Sequence, residues 1–144
     1  MTLTKPNTGF WVIAVIALIW NIIGVFQFLS RTFLLTDEVK AALPEEQVLF
    51  LESIPTWLQV IFAIATISGL LGSILLLARR KTAIALFGIS LVCILVQMFY
   101  SWLFTDIAQT MGTAEGYVLP LVIIIVAIFL YYYSKGAAQK GWLR

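Results

Sequence analysis

Three consecutive cations, Arg79, Arg80 and Lys81, separate two uncharged stretches, Ser53 to Ala78 and Thr82 to Thr105. Each stretch exceeds the roughly 20 apolar residues that a helix needs to cross a hydrocarbon core. A pair of such runs joined by a short basic turn is the pattern of a transmembrane helical hairpin. Positively charged turns are retained on the cytoplasmic side of a membrane, so the same triplet sets the topology expected of the rest of the chain.

Composition supports the same class. The 144 residues are 62% hydrophobic and 11% charged, more apolar surface than one small soluble core can bury. A single multispan membrane domain over residues 1–144 follows. The net charge of +2 is a topology signal and gives no ground for a nucleic-acid partner. Cys93 is the single cysteine and there is no histidine, which removes disulfide chemistry, the usual general base and the commonest metal ligand. No Asp, Glu, Lys, Arg or His falls inside a span, so the acid or base that a proton-coupled pump generally needs is missing too. These residues lead us to expect no catalytic residue, no metal and no cofactor.

In chain order, four spans are expected at about residues 10–29, 56–78, 82–104 and 117–134. The first follows a short polar tail with Lys5 and is too long for the core of a signal peptide. Residues 30–55 form an outer loop. In it Thr36 before Asp37 and Glu38 reads as a helix N-cap with acids in the first turn, and Pro44 before Glu45 and Glu46 reads as a second helix start. Val39, Leu43, Val48 and Leu49 make this loop apolar enough to lie on the outer mouth of a bundle. Asp106 to Glu115 reads as a short acidic loop. In the last span Leu121 to Leu130 has no polar side chain, which makes it the helix expected to face lipid, and Tyr131, Tyr132 and Tyr133 form an aromatic belt before a basic tail.

With both termini cytoplasmic, the inner side holds Lys5, Arg79, Arg80, Lys81, Lys135, Lys140 and Arg144. The outer side holds only Arg31 and Lys40 with all seven acids. The fold expected is therefore an all-α, antiparallel up-down bundle of four transmembrane helices, both termini inside, with short helices in the first outer loop.

Two sets of residues stand out within the spans. Ala65, Gly69 and Ser73 recur at spacing four on the second span, with Ser68 and Gly72 beside them, a face on which a neighbouring helix backbone approaches closely. Asn21, Gln27, Gln59 and Gln97 are amides in the outer half of the bundle, with Asn21 about 17 Å from the inner end of its helix at 1.5 Å per residue. They are candidates to line a pocket for a neutral polar solute, since an amide donates and accepts hydrogen bonds without a counter-charge. Equally, they hold helices in register by bonding to one another, at about 0.6 kcal/mol per pair.

The segments Ala41-Ala42-Leu43-Pro44-Glu45, Pro55-Thr56-Trp57, Phe62-Ala63-Ile64-Ala65, Gly69-Leu70-Leu71-Gly72, Arg79-Arg80-Lys81 and Gln97-Met98 together resemble a family of short four-span bacterial membrane proteins. Its members are mostly labelled uncharacterised and sometimes, loosely, sugar transporter. The resemblance implies a bacterial inner-membrane location and assigns no functional residue. Two classes of function stay open. One is a non-enzymatic accessory or structural subunit that packs in a membrane assembly with copies of itself or with other membrane proteins. The other is an oligomeric transporter or binder of a small neutral, sugar-like solute.

Overall fold

The computed structural model describes residues 4–33, 36–104 and 118–144. Within them all the regular secondary structure is helical, and four of the helices are long and apolar enough to cross a membrane: α1 (Thr8–Thr32), α4 (Thr56–Leu77), α5 (Thr82–Phe104) and α6 (Leu119–Gln139). Two short helices, α2 (Asp37–Ala41) and α3 (Glu45–Glu52), lie between α1 and α4. The acidic stretch from Asp106 to Glu115, and Tyr117, lie outside the described residues.

The local signals in the sequence explain most helix boundaries. Asn7 caps α1, its side-chain oxygen accepting the Phe10 amide at 2.9 Å. Thr36 caps α2 by accepting from Val39, with Asp37 and Glu38 in the first turn. Pro44 stands just ahead of α3, and its carbonyl accepts the amides of Gln47 and Val48. Pro120 sits in the first turn of α6, where a missing amide costs little. The short helices are tied to each other by Lys40 and Glu52 at 3.0 Å. α2 buries no residue, while Val39 and Leu49 are exposed. These apolar side chains therefore face outward.

The long helices pack in sequence order, α1 on α4, α4 on α5 and α5 on α6. α1 meets α4 along Phe10, Ala14, Ala17, Asn21, Gly24 and Phe28, an alternation of four and three residues that keeps one seam in contact. Phe28 stacks on Phe62 at 5.6 Å and Gly24 faces Thr66, which fixes the two helices as antiparallel. On the other side of α4, Gly72 faces Phe87 and Trp57 meets Tyr100 edge to face at 5.2 Å. Gly88 of α5 faces the Tyr131 ring of α6.

Burial differs among the spans in a way that periodicity alone does not show. α4 is the most buried of the four and α1 the least. α6, the helix expected to face lipid, does expose Leu121, Ile125 and Phe129, but it turns Ala127, Leu130, Ser134 and Ala137 inward.

One end of the bundle is closed by residues that flank the spans, Thr4 on one side and residues 140–144 on the other. α4 and α6 both finish in a Schellman turn, in which the amides of the two residues after the cap bond back to the last turn. At α6 the left-handed position is Gly141 (φ 80°), with Gly141 and Trp142 donating to Ala138 and Ala137. At α4 the same position is taken by Arg79 (φ 59°), with Arg79 and Arg80 donating to Leu76 and Leu75. A residue with a Cβ adopts that conformation at a cost of about 1–3 kcal/mol, so the surroundings must hold it there.

They do so through the guanidinium. Arg79 donates from Nε to the Trp142 carbonyl at 2.8 Å and from Nη2 to the Thr4 carbonyl at 2.8 Å. Thr4 in turn donates its amide to Gly141 (2.9 Å) and its hydroxyl to Lys140 (2.6 Å). Arg144 donates to the Arg79 carbonyl and accepts from Lys81, both at 2.8 Å. Beneath this lattice Leu143 is fully buried and Trp142 nearly so, packed with Phe10, Leu76 and Ala137. Both ends of the chain and the α4–α5 turn therefore share one end of the bundle, as the up-down fold requires.

Candidate functional site

The polar side chains inside the spans converge on the small face of α4. Ala65, Ser68, Gly69, Gly72 and Ser73 are all buried, because α1 covers this face from one side and α5 from the other. Asn21 of α1 donates its amide to the Ala17 carbonyl and to Ser73 Oγ, both at 2.8 Å. Ser73 Oγ passes the chain on to the Gly69 carbonyl at 3.0 Å. Asn21 Oδ1 rests against Gly69, on the spot a β-carbon would occupy. From the opposite side Ser90 of α5 donates to the Ala65 carbonyl at 2.7 Å. Ser90 Oγ also lies beside Gly69, and its acceptor is a backbone carbonyl that the small side chain at Ala65 leaves accessible.

The result is a polar seam of three helices in which donors and acceptors are matched within the protein. Among the described residues no buried side-chain N or O atom lacks a hydrogen-bond partner. Ser68 and Thr66 likewise bond back to carbonyls of their own helix, the usual arrangement for hydroxyls in membrane helices.

The four amides are distributed along the bundle. Asn21 is at the level of Ser73, while Gln59 lies fourteen residues back along α4, about 21 Å away at 1.5 Å per residue. Gln27 is exposed on α1. Gln59 is half-buried and lines an open groove of about 500 Å³ with Phe28, Val60, Ala63, Ile64 and Ile67. Gln97 is half-buried on the same stripe of α5 as Ser90, two turns further out, and its carbonyl accepts Ser101 Oγ at 3.0 Å. The structure thus joins Asn21 to Ser73 and Gly69 and does not bring Asn21 to Gln59 or Gln97. A second open groove, of about 420 Å³, is lined by Trp57, Val92, Leu95, Val96, Phe99 and Leu103 among others. The walls of both grooves are almost wholly hydrocarbon, which suits acyl chains or another helix better than a hydrated solute.

No group of three metal-ligating side chains comes together among the described residues. The feature that sequence reasoning missed is the clasp of Thr4, Arg79 and residues 141–144. A usable signal was present: Gly141 directly after the last helical turn, followed by Trp142 and Leu143, is the pattern of a helix cap that folds its next residues back onto the helix. Compared with known proteins, the chain matches no family model, no curated protein and no solved structure.

Proposed function

We propose that this chain is a non-enzymatic subunit of a membrane assembly, packing against copies of itself or other membrane proteins in a bacterial inner membrane. The observation that carries the reading is the fate of the central amide. Asn21 bonds to Ala17 and Ser73 and is pressed on Gly69, so the polar groups at mid-bundle join helices instead of facing a cavity. The broad apolar surface of α1, with Val12, Ile16, Ile19, Ile23 and Phe26 half exposed or more, supplies contact area for a partner helix or lipid. The resemblance to four-span bacterial proteins supports the inner-membrane address.

Two measurements test this. In a mild detergent the protein should run as a complex larger than its 16.1 kDa chain. Its melting temperature should also stay unmoved by a panel of sugars, polyols and amino acids. A monomer whose melting temperature rises with one of these solutes, and whose Gln97→Leu or Gln59→Leu variant loses that rise while still folding, would replace the subunit with a solute binder or transporter.

The orientation we propose places both termini and Arg79, Arg80 and Lys81 in the cytoplasm, supported by the charge asymmetry. Single cysteines at Glu46 and Gln139, both exposed, in a Cys93→Ser background report it directly. Glu46→Cys should react with an impermeant maleimide on spheroplasts and Gln139→Cys only after lysis; the opposite pattern inverts the protein.

A further inference from the structure

The clasp arranges the cations of its end of the bundle in a way that topology alone does not call for. The bonds from the Arg144 amide to the Arg79 carbonyl and from the Lys81 amide to the Arg144 carbonyl flank Arg80. These two bonds bring the backbones of residues 80 and 144 side by side. Cations gathered at one place repel one another unless an anion stands among them. Both residues are exposed, as are Lys81 and Lys5 nearby. Among the described residues, the one carboxylate that pairs with a cation is Glu52 with Lys40, in the loop at the far end of the bundle.

Arg79, by contrast, is engaged by two carbonyls and is part of the scaffold. The depth of the site is marked by aromatic rings with cations over them, Lys140 over Trp142 at 4.7 Å and Lys135 over Tyr131 at 5.3 Å. Aromatic rings with flanking cations occupy the level of lipid headgroups.

We propose that this end of the bundle is a binding surface for the phosphate of anionic phospholipid headgroups, with Arg80 and Arg144 as the paired ligands and Lys81 beside them. Charge complementarity selects the occupant. The surface lies where a bilayer presents phosphates, guanidinium pairs match phosphate oxygens, and juxtamembrane cations attract anionic lipid. The inference does not depend on the subunit role or on which leaflet this end faces.

The test is a melting curve of the purified, delipidated full chain in neutral detergent, with added phosphatidylglycerol, phosphatidylcholine or inorganic phosphate. Phosphatidylglycerol should raise the melting temperature by about 5 °C, phosphatidylcholine and free phosphate by much less. The variant Arg80→Gln/Lys81→Gln/Arg144→Gln should lose that rise, while Lys40→Gln, at the far end, should keep it. The single change Arg80→Glu puts a carboxylate among these cations, so it should leave the melting temperature without lipid at or above the parent's and abolish the response to phosphatidylglycerol. That outcome also shows that the altered surface still folds. An equal rise with phosphatidylcholine, the whole rise with inorganic phosphate alone, or a full response in the Arg80→Glu variant would each overturn the proposal.

Discussion

Gly69→Ala should destabilise the protein by about 2 kcal/mol, although alanine is the better helix former by about 1 kcal/mol. A β-carbon at Gly69 would fall on Asn21 Oδ1 and lie 3.3 Å from Ser90 Oγ. Neither neighbour can step aside freely. Asn21 is held by Ala17 and Ser73, and Ser90 by the Ala65 carbonyl, so the added methyl must push α1 away from α4 or break the polar seam. Gly24 and Gly136 provide the contrast within the same fold. A β-carbon at Gly24 meets only a Thr66 methyl at 3.7 Å, and at Gly136 it meets nothing within 4 Å. Gly24→Ala should therefore be near neutral, and Gly136→Ala should gain up to about 1 kcal/mol. Reversible melting or denaturant curves in detergent give the ranking, and Gly69→Ala melting with or above the parent would mean that α1 does not pack on α4 in this register.

The second large effect is expected at the clasp. Leu143→Ala should cost about 3 kcal/mol, within the range for deleting a fully buried leucine side chain, despite lying four residues beyond the last helix. Leu143 is fully buried against a cluster that includes Phe10, Leu76 and Trp142. Removing residues 142–144 altogether should cost more, because Arg79 would then keep its left-handed backbone without the Trp142 carbonyl that helps to hold it. A series at Arg79 separates the two contributions. Arg79→Ala loses both side-chain bonds and keeps the strain. Arg79→Gly loses the bonds but relieves about 1 kcal/mol or more of strain, and should lie above alanine. Arg79→Lys should not recover the parent, since one ammonium does not reproduce a fork that addresses two separate carbonyls. Protease resistance of the first helix, read alongside the melt, checks that the loss is at this end. A Leu143→Ala protein indistinguishable from the parent would show that the tail contributes nothing.

What was legible in the sequence was whatever repeats or carries charge. Two uncharged runs around Arg79, Arg80 and Lys81 gave the hairpin, and residue spacing gave the small face of α4 that the structure buries. Thr36 announced the start of α2 because a capping oxygen acts within three residues. The partners of Asn21 were not legible. Its face is visible from spacing, but whether it meets Ser73, Gln59 or Gln97 depends on how two antiparallel helices slide along each other, and several registers suit small residues equally well. The clasp was hidden for another reason: four residues after a helix have no period, and Lys140 and Arg144 looked like topology charges. Arg79 was the hardest case, since a residue at a position that favours glycine carries no mark of its φ in the sequence.

The clasp also has a consequence for how the fold closes. It joins Thr4 to Gly141, residues far apart in the sequence. The α4–α5 hairpin needs only neighbouring sequence and can form while synthesis continues. Closure of the bundle end spans nearly the whole chain and carries the largest loop-closure entropy of the fold. Loss of residues 141–144 therefore uncovers Phe10 and Leu76 at a part of the fold that no neighbouring sequence can close again.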